Sequence, residues 1–201
     1  MKRFMSLIVL IALGLMSLNA FTVTVGSVWE GVFNFPVHTV IAYNYTQQTY
    51  TSSQINHQGQ ISKIRFYHDV AGSLVNSHDW VIYMGHVARS SFSSTTDWEP
   101  VANLTQVFSG SVLGNFPPGG QWMEITLDTP FNYNNTDNLV VAVHESTPEW
   151  GETVIWGGFT SGDAAGLYYF DDMTNPDVNN PPPAMGINAQ LAAIQLVFPD
   201  T

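Results

Sequence analysis

Several stretches of this chain alternate apolar and polar residues with a period of two, the pattern of a strand with one buried face and one wet face. In residues 61–67 (ISKIRFY), Ile64 and Phe66 share one side and Lys63, Arg65 and Tyr67 the other. Trp80, Ile82 and Met84 share a face in the same way, as do Met123, Ile125 and Leu127, then Leu139, Val141 and Val143, and finally Ile194, Leu196 and Phe198. Between these runs lie NFPPGG (115–120), NYNNTD (132–137) and NPDVNNPPP (175–183). In such clusters Pro and Gly end hydrogen-bonded ladders, and Asn tolerates left-handed backbone angles. No amphipathic helix is legible; residues 190–193 have the length of one helical turn, but their β-branched neighbours favour a strand. Short strands separated by turn signals predict an all-β fold, an antiparallel β-sandwich of jelly-roll type, with an open barrel as the rival. With no internal repeat and no linker, one domain is expected over residues 21–201.

The first twenty residues read differently. Lys2 and Arg3 precede an apolar run over residues 7–15, and Leu18-Asn19-Ala20 supplies a small-residue end, the layout of a cleaved export signal. Gly14, Ser17 and Asn19 interrupt the run, which falls short of the roughly 20 apolar residues a spanning helix needs. The expected product begins at Phe21, is secreted or extracellular, with the cell surface as a variant, and has no transmembrane segment. Its terminus, Phe21-Thr22-Val23-Thr24-Val25, is itself strand-like.

Removing the signal leaves Lys63, Arg65 and Arg89 against sixteen acids, a formal charge of −13 in place of −11. Such a surface repels phosphates and excludes nucleic acid as a partner. The absence of cysteine rules out thiol catalysis and zinc–thiolate sites, and leaves packing to hold an exported fold together. Charged residues make up only 10% of the chain against 13% aromatics, a balance suited to polar-faced sheets.

The succession ISKIRFY, DWVIYMGH, FSSTTDW, LTQVFSG, WMEITLDTPFNYNNTDNLVVAVHE and IQLVF resembles a module of large secreted and cell-surface bacterial proteins. That module often stands beside fibronectin type III-like domains and sorting tails. The similarity covers most of residues 40–198 and is strongest over 79–86 and 122–145. It implies a β-sandwich accessory module concerned with binding or adhesion, and it brings no catalytic residues. The chain ends at Thr201, directly after the last strand, so a free secreted protein or an assembling subunit is expected rather than an attached one.

Candidate chemistry is sparse. Asp171, Asp172, Asn175 and Asp177 cluster in a Pro-bounded loop and carry the hard oxygen donors that calcium prefers, although the EF-hand spacing is missing; self-capped turns are the plainer reading. Asp163 is a further donor if the loops converge. The six histidines lack paired ligand spacing, and His68-Asp69 with His78-Asp79 form the one arrangement that would bring imidazoles and carboxylates together, across a hairpin. No serine lies in a nucleophile elbow. Glu124 with Glu145, or Glu149 with Glu152, are the acid pairs a glycosidase would need, against the simpler reading of surface acids.

The aromatic residues carry more. Six tryptophans and eight tyrosines exceed the evident needs of one core. Trp80 and Trp122 begin strands and are expected to plug the sandwich ends. Trp98, Trp150 and Trp156 fall in presumed loops, where an exposed ring would stack on a sugar or anchor a protein partner. The functional expectation is therefore a non-enzymatic module that binds carbohydrate or a surface protein through loop aromatics. The alternative is a structural subunit that self-associates through edge strands, with residues 22–25 or 194–198 as the pairing segments.

Overall fold

The structure is a computed structural model of the 201-residue chain in which residues 20–69 and 72–199 are described. The expected export signal over residues 1–19 lies outside the described residues. Two antiparallel sheets pack face to face. The first runs β1 (Phe21–Val25), β13 (Ile194–Phe198), β4 (Gly59–His68), β7 (Gln121–Tyr133); the second runs β3 (Tyr43–Tyr50), β8 (Asn138–Glu145), β5 (Asp79–Val87), β6 (Thr105–Ser111). The chain passes from sheet to sheet as it proceeds from β3 through β4 to β5, and again from β7 through β8 to β13. This is the double Greek-key winding of a jelly roll, as the alternation predicts. An insertion between β8 and β13 enlarges both sheets. β10 (Gly166–Asp171) adds to the second beside β3, with β11 (Gly186–Asn188) at its edge. β9 (Trp156–Thr160) extends the first, pairing with β12 (Gln190–Ala192) and with β2 (Glu30–Val32).

The alternation predicts the core correctly. Ile64 and Phe66, Trp80, Ile82 and Met84, Met123, Ile125 and Leu127, Leu139, Val141 and Val143, and Ile194, Leu196 and Phe198 form one buried cluster between the sheets. Phe66 stands opposite Met123 on one side and Ile194 on the other, so each apolar row backs onto the next. Burial of these rows is the main stabilising contribution, at about 25 cal/mol per Å² removed from water.

β3 breaks the pattern. Its sequence YNYTQQTY is polar, yet from Asn44 to Tyr50 every residue is buried. Toward the sandwich, Gln48 Oε1 accepts from the Ala192 amide at 2.8 Å and the Tyr50 hydroxyl donates to the Ala192 carbonyl at 2.9 Å. Thr46 Oγ1 donates to the Pro36 carbonyl. On the far face, segments 88–104 and 172–185 cross the sheet and close a second apolar cluster of Tyr45, Phe92, Trp98, Ala142, Leu167 and Ala184. The segments are tied to each other by the Ala184 amide donating to the Thr95 carbonyl at 2.7 Å. Arg89 stiffens the first of them through ion pairs to Asp97 at 2.7 Å and Glu99 at 3.0 Å. Loops and insertion strands supply partners to Thr46, to Gln48 Oε1 and to the Tyr50 hydroxyl, which is how a polar strand is accommodated inside the fold.

Among the described residues β1 is an edge strand, paired with β13. β13 is not: it lies between β1 and β4, so the expectation that residues 194–198 form a free edge is corrected. Among the described residues no helix is long and apolar enough to cross a membrane.

Candidate functional site

Two of the three expected loop aromatics are buried. Trp98 is 8% exposed, packs against the Tyr45 ring at 5.0 Å in a tilted arrangement and donates from Nε1 to the Pro182 carbonyl at 2.9 Å. Trp156 is fully buried, lies 5.9 Å from Trp80 and donates to the Val37 carbonyl. Both corrections have the same cause: the segments carrying these residues fold back onto the sheets, and Trp156 opens β9 with its ring turned inward. Trp150 stays outside at 67% exposure, on a loop whose backbone is anchored by Asn76 Nδ2 donating to the Trp150 carbonyl. Trp80 is interior as expected. Trp122 plugs nothing, because its neighbour Met123 takes the inward position.

The acidic loop is built from turns. Asp171 Oδ1 accepts from the amides of Met173 and Thr174, both at 2.7 Å, and these bonds hold its carboxyl below the usual range. Asp177 Oδ1 accepts from the Asn179 amide at 3.0 Å, Asp172 Oδ1 from the Ala42 amide at 3.4 Å, and Asn175 Oδ1 from His144 Nε2 at 2.6 Å. One oxygen of each of these four side chains is engaged with the chain itself, and among the described residues no three His, Asp or Glu side chains converge on a metal position. Nor, among the described residues, do His68, Asp69, His78 and Asp79 gather as a metal-holding group. His68 is buried against Phe116 at 4.3 Å, while His78 contacts its own neighbour Asp79 at 3.4 Å.

The carboxyl pair Glu124 and Glu145 is likewise separated by the fold. Glu145 follows Leu139, Val141 and Val143 on the inward face of β8 and is fully buried at one end of the sandwich. Burial pushes its pKa up to about 8, against hydrogen bonds from Thr147 and Asn44, with the nearby Asp79 charge adding to the rise. Glu124 points out of the other sheet. Glu149 and Glu152 are exposed in the loop that carries Trp150.

The outward face of the first sheet holds the arrangement that a search for loop aromatics passes over. Lys63, Arg65 and Tyr67 project from β4, Trp122 and Glu124 from β7, and Gln195 from β13. Lys63 Nζ lies 2.5 Å from Glu124 Oε1, and Arg65 reaches Glu124 Oε2 at 2.6 Å and Gln195 Oε1 at 2.9 Å. Partial burial raises the Glu124 pKa, but the bonds and charges of Lys63 and Arg65 outweigh it and hold the carboxyl below its usual range. The rings of Tyr67 and Trp122 meet edge to face at 5.3 Å and 71°. Tyr67 lies over Gly157, where a Cβ would stand 2.5 Å from the tyrosine ring and 3.2 Å from Val28. Trp29, next in the chain after Val28, is 89% exposed. The face thus combines aromatic rings with an ordered row of donors and acceptors, held by neighbours on three strands. The sequence did carry a signal for it: the period of two that buries Phe66 and Met123 sends Tyr67 and Trp122 outward together.

No protein-family model and no curated protein matches this chain.

Proposed function

We propose that this chain is a secreted, non-catalytic binding module that recognises carbohydrate through the outward face of its first sheet. One observation carries this reading: the Tyr67–Trp122 pair stands beside the Lys63–Glu124–Arg65–Gln195 row on a half-exposed sheet face. Aromatic faces pack against the C–H faces of pyranose rings, and planar guanidinium, carboxylate and amide groups pair with adjacent hydroxyls. Because the row is already bonded internally, little side-chain freedom remains to be lost on binding. The role agrees with the one implied by the resemblance to accessory modules, but it moves from the loops to the sheet. The test is binding to arrayed glycans and insoluble polysaccharides, which Trp122→Ala and Trp29→Ala should reduce.

A second reading rests on β1. Among the described residues this strand pairs with β13 alone, and Phe21 at its start is 50% exposed. A copy of the chain adding its own strand there would give a structural assembly. Sedimentation of the purified protein across a concentration series decides it: growth of oligomers that Phe21→Lys abolishes favours assembly, and a constant monomer favours the binding module.

A further inference from the structure

We infer that the end of the sandwich built around Gln58, Gly59 and Gln60 is a second saccharide subsite, one that takes an uncharged, hydroxyl-rich sugar. Two cavities adjoin there, of about 380 Å³ and about 580 Å³, and share these three residues as a common ridge. Both fall within the roughly 300–1,000 Å³ typical of small-molecule sites. The first is walled by Phe21 and Phe198, with the His57 ring held between them at 4.3 Å and 4.5 Å. The second is walled by Asn132, Tyr133 and Asn134.

The walls are ordered by bonds behind them and by one bond across the second cavity. The Tyr133 hydroxyl donates to the Asp137 carbonyl at 2.7 Å, the Asn134 amide donates to His86 Nε2 at 3.2 Å, and Gln60 Nε2 donates to Asn132 Oδ1 at 3.5 Å. Gly59 has a φ of 145°, which residues with a side chain rarely adopt, and a Cβ there would stand 3.3 Å from the Phe198 ring. A larger residue at 59 would therefore be strained in backbone and crowded against Phe198, and the ridge stays low between the two cavities.

The lining selects the ligand class. Among the described residues that line the two cavities, none is Asp, Glu, Lys or Arg. None of these side chains offers an acidic or strongly basic counter-charge to a charged ligand, and the formal charge of −13 left once Lys2 and Arg3 are removed with the signal repels anions from a distance. Side-chain amides each present a donor and an acceptor in one plane, which suits neighbouring hydroxyls, while the rings of Phe21, His57 and Tyr133 suit the apolar face of a sugar. A neutral sugar meets both demands, and a uronate or sulfated sugar does not.

This inference rests on the carbohydrate reading of the sheet face only for its ligand class. The test titrates isotope-labelled protein with neutral cello-, xylo- and manno-oligosaccharides, and with an oligouronate as control, while side-chain amide and aromatic resonances are followed. The expected result is movement of the Gln58, Gln60 and Asn132 side-chain amides with a neutral oligosaccharide but not with the uronate. At least tenfold weaker binding at these resonances is expected in Gln58→Ala and in Gln60→Ala, with Trp122→Ala leaving them unchanged. Both glutamines are exposed, so their truncation spares the fold. Movement confined to Tyr67 and Trp122 would overturn the subsite and leave the sheet-face reading standing. Movement confined to the cleft would support the subsite while the sheet-face reading fails, and silence at both places would overturn both.

Discussion

Gln47 and the backbone of Glu99 bind each other twice: Gln47 Nε2 donates to the Glu99 carbonyl at 2.8 Å, and the Glu99 amide donates to Gln47 Oε1 at 2.8 Å. One side-chain amide thus acts as a rung of sheet, fastening segment 88–104 onto the outward face of β3. The fold relies on this bond to cover Tyr45 and Leu167 with a loop segment whose regular structure is a 3-10 turn at Val101–Asn103.

Gln47→Ala leaves that part-buried backbone donor and acceptor without their partner, at a cost of about 1 kcal/mol for each hydrogen bond lost. Urea unfolding should show a lower midpoint with an unchanged slope. Amide exchange at Glu99 should accelerate far more than exchange in β8.

Trp98 and Trp150 should part company under the same substitution. Trp98→Ala empties the centre of the second apolar cluster and strands the Pro182 carbonyl, for a loss of about 3–5 kcal/mol. Trp150→Ala, at an exposed site, should stay within about 0.5 kcal/mol of the parent. Denaturant midpoints of the two variants measured side by side check the contrast.

How much of this was legible from sequence follows from how far each feature depends on distant chain. Ile64, Ile82, Ile125 and Val141 declare their faces because a half-buried strand needs only its own period. β3 gives no such signal: Gln48 finds its partner in Ala192, 144 residues away, while Thr46 and Asn44 are met by Pro36 and by His38 and Ile41 of the loop that folds back before the strand. Trp98 and Trp156 look loop-borne for the same reason, since their burial depends on Pro182 and Val37 arriving from elsewhere. The binding face was half legible. Alternation places Tyr67 and Trp122 outward, but only the register of β4 with β7 sets them side by side.

Glu145 makes stability depend on pH. Its folded pKa, about 8, lies above the ordinary value of 4.5, so between the two the folded chain holds a proton that the unfolded chain has released. Stability therefore falls as pH rises through this window and levels off above it. Glu145→Gln imitates the protonated form and should flatten the fall. Urea midpoints at about pH 5 and about pH 9 would register the difference between the two proteins.

The Asp171 carboxylate caps its own loop, so Asp171→Ala should lower the thermal midpoint by a similar, small amount in calcium and in EDTA. A drop seen only in calcium would instead place the ion on Asp171.

Binding is tested most directly by titrating the protein and two of its tryptophan variants with whichever neutral glycan the array selects, using calorimetry. Trp122→Ala should weaken affinity at least about tenfold, the loss of about 1.4 kcal/mol or more expected for an aromatic anchor, while Trp150→Ala binds as the parent does. Full affinity in Trp122→Ala together with its loss in Trp150→Ala would contradict the sheet-face site and return recognition to the loops.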